Sequence, residues 1–236
     1  MDLLVWSGGM DSTAILLDYA SQKKPLTTLY IELKNNELKT KQEKLARQKI
    51  RQILKDDWDY CFEDREVQIG GLKTVNSFSS VAFSMQPMSW LWGTFMGLRS
   101  GDAFEKVLYG YIISDVFWHI KEKFVTCYDC MAQGLVVVPG YITVPKVHFP
   151  LEWYTKEEVV KRHYLSTAEK VEILKNTWTC EMPHEVLRKR RGRKSVIDIE
   201  PCGECDPCKS WKKILQQFEW EDGIVYRVPE DSFEKD

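Results

Sequence analysis

No apolar run in this sequence approaches the roughly 20 residues that a membrane-spanning helix needs, so no membrane role is expected. Excess positive charge is lacking too. The 33 Lys and Arg stand against 35 Asp and Glu, a formal net charge of −2, which leaves no general basic field for non-specific nucleic-acid binding. Histidine is scarce: His119, His148, His163 and His184 are the four, they show no metal-ligand spacing, and they read as structural. There is no internal repeat and no low-complexity linker. The N-terminus passes straight into the apolar run Leu3-Leu4-Val5-Trp6, leaving no room for a signal peptide, and a cytoplasmic location is expected. The 236 residues suffice to bury a sizeable core, and a hydrophobic fraction of 44% is that of a folded globular chain.

What is present concentrates at residue 7. Ser7-Gly8-Gly9-Met10-Asp11-Ser12 follows the apolar run and precedes Thr13, Ala14, Ile15, Leu16, Leu17 and Ala20, whose spacing is helical. The unit reads as strand, glycine turn, helix. Two glycines let the main chain approach a ligand, and N–H groups at a helix start favour negative charge. Ser7, Ser12 and Thr13 add hydroxyls, so the segment reads as an anion cradle. A Walker loop would need a lysine after its glycines; here Asp11 stands instead, placed to help hold Mg2+. The segment resembles the S-G-G-x-D-S loop of the PP-loop (N-type) ATP pyrophosphatases, and that resemblance implies ATP cleavage between the α- and β-phosphates to adenylate a substrate.

Along the chain, Thr27–Leu33 reads as a second strand and Asn36–Leu54 as a charged amphipathic helix. A third strand is expected at Asp59–Phe62 or Val67–Ile69, and Gly70-Gly71 as a turn. The stretch from Val75 to Ser89, with Pro87, reads as loop, Trp90–Ala103 as helix, Lys106–Tyr111 as strand and Phe117–Gln133 as helix. Val136–Val144 carries two breakers, Pro139 and Gly140. Thr155-Lys156-Glu157-Glu158 has the form of a capping box opening a helix to His163, and Ser166–Lys175 makes another. Alternating strands and helices imply an α/β fold: a parallel, Rossmann-like sheet with helices on both faces and ligands beyond the strands' carboxyl ends. A PP-loop ATP-binding domain is expected over 1–175. Residues 176–236 read as a zinc-binding segment and helix (Lys209–Phe218) appended to it.

Four of the seven cysteines carry that appendix: Cys202, Cys205 and Cys208 form C-x-x-C-x-x-C, with Cys180 earlier. Four thiolates at this spacing suit a closed tetrahedral structural Zn2+ site in a reducing compartment; an iron–sulfur cluster is the other reading the thiolates allow. Cys61, Cys127 and Cys130 read as ordinary thiols, though Cys61 or Cys127 is the one place a thiolase nucleophile would be sought. Trp90 and Trp92 read as core, with base stacking as the alternative.

A PP-loop near residue 7 together with Pro201-Cys202-Gly203-Glu204-Cys205-Asp206-Pro207-Cys208 resembles the 7-cyano-7-deazaguanine synthase family. Tyr30 with Glu37-Leu38, Gly110 with Asp115, Pro150-Leu151 with Thr155–Val160, and Thr177-Trp178-Thr179-Cys180 are similar to further stretches of that family. The resemblance implies ATP and Mg2+ as cofactors, bound through Ser7, Gly8, Gly9, Met10, Asp11, Ser12, Thr13, Tyr30, Gly110 and Asp115, with Asp11, Ser12 and Lys156 catalytic. It implies 7-carboxy-7-deazaguanine and ammonia as substrates, an adenylated carboxylate, an amide and finally a nitrile. Where the family has Y-G-Q-R-H, this chain has Tyr30-Ile31-Glu32-Leu33-Lys34, and segments 87–90 and 117–130 also depart. That is the pattern of a divergent member, such as a viral one, or of a paralogue that adenylates another carboxylate or acts on tRNA. A nucleotide-binding regulatory protein without turnover is the reading from another class. Asp115 also reads as a helix cap and Lys156 as plain surface. The basic run Arg188–Lys194 reads as a solvated loop, with nucleic acid the sharper alternative. A homodimer is the expected assembly.

Overall fold

The computed structural model describes residues 1–34, 36–70, 79–99, 101–135, 144–188 and 196–217. Five strands, β1 (Asp2–Val5), β2 (Leu26–Leu33), β3 (Glu63–Ile69), β4 (Lys106–Leu108) and β5 (Lys146–His148), form one sheet in the order β3-β2-β1-β4-β5. Every pairing in it is parallel. Helices α1 (Met10–Ser21), α2 (Glu37–Asp56), α3 (Ser79–Gly97) and α4 (Lys121–Leu135) make the crossovers, and α5 (Lys156–His163) and α6 (Ala168–Lys175) follow β5.

The central strand shows why both faces are covered. Successive side chains of a strand point to opposite faces, and every core-facing position here is apolar. Leu4 and Trp6 pack with α1 (Met10, Ala14, Leu17), α2 (Ile50, Leu54) and α5–α6 (Val159, Val160, Ile173, Leu174). Leu3 and Val5 face the other way, toward Leu91 of α3, Phe124 and Tyr128 of α4, Tyr109 and Phe149. Because β2 leaves one side of β1 and β4 joins the other, the loops after β1 and β4 flank a switch point, where open α/β sheets bind ligands.

The expected strands and helices form, with shifts at their ends. The third strand runs Glu63–Ile69, taking the second of the two expected positions and extending it. The stretch read as loop up to Ser89 is helical from Ser79, with Pro87 inside α3; Gly71 of the expected turn and residues 75–78 lie outside the described residues. Burial of Ser89, Leu91 and Thr94 against the sheet outweighs the proline's local cost, which propensity alone does not foresee. Expected helix Phe117–Gln133 is divided into a 3-10 turn (Val116–His119) and α4. The capping box at Thr155 is formed, with Thr155 Oγ1 accepting from the Glu158 N–H and the Glu158 carboxylate accepting from the Thr155 N–H. Most of Val136–Val144 lies outside the described residues.

Helix α3 lies unusually close to β2. A Cβ on Gly93 would stand 2.5 Å from Ile31 Cγ2, and one on Gly97 2.6 Å from Leu29 Cδ2. The two glycines, one turn apart, set that distance. Gly97→Val is therefore expected to destabilise the fold by about 1–3 kcal/mol through overpacking. A lower urea midpoint with unaltered activity per folded molecule is the result that checks it.

The C-terminal part adds an antiparallel pair, β6 (His184–Arg188) with β7 (Val196–Glu200), then α7 (Asp206–Gln217). This hairpin is not expected from sequence. The basic run begins at the end of β6, and its residues 189–194 lie outside the described residues, as does Phe218.

Candidate nucleotide site and cysteine centre

Gly8 has φ +83, a left-handed conformation that a side chain would strain, and a Cβ there would meet Arg47 Cγ at 2.9 Å and the Glu43 carbonyl at 3.1 Å. The chain turns at this point from β1 into α1. The first intrahelical bond is Thr13 N–H to the Gly9 carbonyl, 3.0 Å, so the N–H groups of Met10, Asp11 and Ser12 are the helix's unsatisfied donors. Ser7 Oγ accepts from the Gly9 N–H at 3.2 Å and lies 3.4 Å from Ser12 Oγ, which donates to the Gly9 carbonyl at 3.3 Å. The two serine hydroxyls thus sit together over the turn. Gly110, just past β4, closes the other side. Its hypothetical Cβ falls 2.8 Å from the Ser12 N and 2.9 Å from Ser12 Cα, so the strand end is seated directly on the helix start.

Three expected ligand side chains are otherwise engaged. Thr13 is fully buried, and its hydroxyl accepts from Trp6 Nε1 at 3.0 Å. Met10 is a core residue whose carbonyl accepts from Tyr164 OH. Only the Met10 main chain is placed to serve a ligand. Tyr30 is likewise 1% exposed; its hydroxyl donates to Glu43 at 2.7 Å and its ring carries the Arg47 guanidinium at 4.4 Å. It braces the loop from beneath.

Asp11, Asp115 and Lys156 converge beside the loop. Lys156 Nζ is 3.7 Å from Asp11 Oδ2, while Asp11 Oδ1 is buried without a hydrogen-bond partner. Burial pushes the Asp11 carboxyl above its ordinary value, and Lys156 opposes that shift. A buried carboxylate oxygen lacking a donor suits a hard cation, so these residues fit Mg2+, with Asp11 as the chain's ligand. Asp115 accepts from the Ile112 N–H at 2.8 Å and does not cap its 3-10 turn with its side chain. Its carboxyl is pushed up to about 6, first by burial, then by the charge of Asp11.

A carboxyl raised in the folded state stabilises the fold when protonated. That contribution is full below the unfolded value of 3.8 and is lost as pH rises through about 6. In nucleotide-free protein, Asp115→Asn is expected to raise stability by about 2–3 kcal/mol at pH 7–8 and to give no gain near pH 4. Melting curves at both pH values check it.

Beside Ser7 lies a narrow cleft lined by Ile31, Leu33 and Trp90 on an apolar side and Lys39, Thr40 and Glu43 on a polar one. It has room for about one water, ≈20 Å³. Lys39 Nζ pairs with the Glu181 carboxylate and stands 3.7 Å from Glu43. Sequence reading missed Lys39, Glu43, Arg47 and Glu181; Glu37-Leu38 and Trp178-Thr179-Cys180, their neighbours, were the available signals. Trp92 is 53% exposed and Trp90 half-buried against Tyr111. Buried His163 pairs with Asp18, in keeping with a structural role.

The four expected metal cysteines come together. The Sγ atoms of Cys180, Cys202, Cys205 and Cys208 all lie within 4.8 Å of one another, and Cys180 and Cys202 are 3.6 Å apart. Four thiolates gathered this closely could hold one metal ion between them, and tetrahedral zinc, with Zn–S about 2.3 Å, would need its sulfurs about 3.8 Å apart. An iron–sulfur cluster spreads its thiolates over several irons and needs a wider set. Cys202 N–H donates to Cys180 Sγ at 3.2 Å and Cys205 N–H to Cys202 Sγ at 3.3 Å, bonds that favour the thiolate. Gly203, φ +72, supplies the turn between them. Cys61 and Cys130 are exposed and Cys127 half-buried, all free.

No family model matches this chain, and no curated protein does. Solved structures do. A predicted subunit of tRNA methyltransferase from Methanocaldococcus jannaschii overlaps with a TM-score of 0.41 at 12% identity, over 74% of this chain and 87% of that one. The U34-tRNA thiolase NcsA from Methanococcus maripaludis, with its 4Fe-4S cluster, gives 0.41 at 13% identity over 92% of this chain and 64% of its own. NMN synthetase from Francisella tularensis gives 0.34 at 14%, over 67% and 58%. The five-stranded parallel sheet, in the order β3-β2-β1-β4-β5, defines the α/β fold by itself.

Proposed function

We propose that the chain is a PP-loop enzyme that uses ATP to adenylate a carboxylate, with 7-carboxy-7-deazaguanine as substrate and 7-cyano-7-deazaguanine as product. The observation that carries the reading is the seat of Gly110 on Ser12. It clamps free N–H donors, two serine hydroxyls and the Asp11–Lys156 pair around one spot at the sheet's switch point.

A carboxylate is a poor electrophile until one oxygen carries a good leaving group. In the proposed reaction that oxygen attacks the α-phosphorus of ATP and pyrophosphate departs. The Met10, Asp11 and Ser12 N–H groups, with the serine hydroxyls, hold the departing phosphates in a cradle that needs no rearrangement. Lys156, kept charged by Asp11 and Asp115, adds a cation there. Mg2+ on Asp11 supplies charge neutralisation when bound. Ammonia then displaces AMP and loses a proton to form the amide; a second ATP adenylates the amide oxygen with release of pyrophosphate, and AMP departs with that oxygen as the nitrogen gives up its two protons, leaving the nitrile. No protein nucleophile takes part. The cysteine centre, closed by four thiolates, supports the fold and stays outside the chemistry.

Purified protein incubated with ATP, Mg2+, ammonium and 7-carboxy-7-deazaguanine is expected to yield amide, then nitrile, by mass spectrometry. Asp11→Ala should lower the rate at least about 100-fold, the scale of losing one transition-state contact. AMP released only with other carboxylates would move the substrate elsewhere, and nucleotide bound without AMP release would favour a regulator.

A further inference from the structure

The glycine loop is held between two jaws. On one side, α2 presents the Glu43 carbonyl and Arg47 against Gly8. On the other, the Trp178 N–H donates to the Gly8 carbonyl at 3.0 Å, and the Trp178 carbonyl lies 3.4 Å from where a Cβ on Gly9 would be. The second jaw belongs to the cysteine centre. Trp178 Nε1 donates to the carbonyl of Cys180 at 3.0 Å, two residues on.

Glu181, the residue after Cys180, ties the jaws together. Its carboxylate pairs with Lys39 of α2, and its carbonyl accepts from Asn36 Nδ2, the N-cap of α2, at 3.2 Å. Lys39 in turn faces Glu43, whose carboxylate takes the Tyr30 hydroxyl. Lys39 is the shielded partner of this pair, its side chain 13% exposed against 42% for Glu181. A chain of contacts therefore runs from a metal ligand to both flanks of the loop.

We propose that the metal state of the four-cysteine site sets how tightly the loop binds nucleotide, acting through Trp178 and Glu181 as positioning residues. The thiolates fix residues 178–181, and those residues fix the width of the cradle, although no cysteine touches the ligand. This rests on the reading of the loop as a nucleotide site. Coupling between two binding equilibria is reciprocal, so bound nucleotide must also hold the metal more tightly.

The test uses the full chain loaded with zinc, a non-cleavable ATP carrying an α,β-methylene bridge, and calorimetry. Glu181→Ala, which leaves all four cysteines in place, is expected to keep its zinc and to bind the analogue about tenfold more weakly, with Glu181→Gln falling between. Zinc release to a chromogenic chelator should be slowed by the analogue in the wild type and not in Glu181→Ala. Equal affinity in the wild type and in zinc-retaining Glu181→Ala, or zinc release indifferent to the analogue, would overturn the coupling alone. Zinc-loaded wild type that binds no analogue would overturn the nucleotide reading, and the coupling with it.

Discussion

Gly110→Ala is expected to lower kcat/KM for ATP by about 100-fold or more, the cost of shifting reacting groups by roughly an ångström. The new Cβ would fall 2.8 Å from the Ser12 N, 2.9 Å from Ser12 Cα and 3.1 Å from the Asp11 carbonyl carbon. All three are backbone atoms at the start of a helix, so no side chain can swing aside. Either the end of β4 or the first turn of α1 must withdraw, and each movement spreads donors that have to converge on one phosphate. Folding should suffer less than function, because β4 itself, with Val107 and Leu108 buried, stays paired to Leu3 and Leu4. Gly134→Ala provides the contrast. A Cβ there meets nothing within 4 Å, and the residue sits inside α4, where alanine is preferred by up to about 1 kcal/mol. That variant should match or exceed wild-type stability and keep its activity. Calorimetric ATP binding and AMP release, measured beside thermal melts, separate the two cases. A Gly110→Ala protein with wild-type ATP affinity would mean that the cradle is not where the nucleotide sits.

Much of this arrangement was legible in the sequence because it is encoded locally. A strand, two glycines and an apolar helix in the 20 residues Asp2–Ser21 leave few conformations, and a capping box or a C-x-x-C-x-x-C run states its own geometry. What was not legible depends on residues distant in the chain. Helix α3 runs through Pro87 because the sheet buries one of its faces, and no window of the sequence contains that sheet. The family resemblance makes Tyr30 a ligand residue, and a hydroxyl at the helix start makes Thr13 one. Their hydroxyls are occupied by Glu43 and by the Trp6 indole, partners 13 and 7 residues away. The Lys39–Glu181 pair spans 142 residues, so neither member signals the other. The basic run shows the opposite limit. Its charge is obvious in the sequence, yet the hairpin of β6 and β7 that carries it reads weakly, since each strand has only five residues.

Cys202→Ser is expected to cost the fold more than any other single change to the C-terminal part. Among its described residues, the segment from Thr177 to Gln217 contributes little apolar burial of its own: a two-stranded pair, which is marginal in isolation, and one amphipathic helix whose Trp211 and Ile214 reach the main core. Cys202 ties two other ligands into the thiolate set, its Sγ 3.6 Å from Cys180 and accepting the Cys205 N–H at 3.3 Å. Serine in its place removes a soft ligand and leaves a three-thiolate site. Structural zinc supplies about 10–16 kcal/mol in small thiolate modules, so losing even a fraction of that outweighs what the hairpin and helix retain. The expected result is zinc content falling from one ion per chain to near none, a melting temperature lower by about 10 °C or more, and loss of the ordered near-ultraviolet signal of Trp178 and Trp211. Chelation of the wild type should reproduce this, and restored zinc should reverse it. Cobalt offers an independent check, since thiolate-to-cobalt charge-transfer absorption in the near ultraviolet scales with the number of Co–S bonds and should fall when Cys202 is lost. A broad absorption near 400 nm in anaerobically purified protein would instead identify an iron–sulfur cluster at the four cysteines.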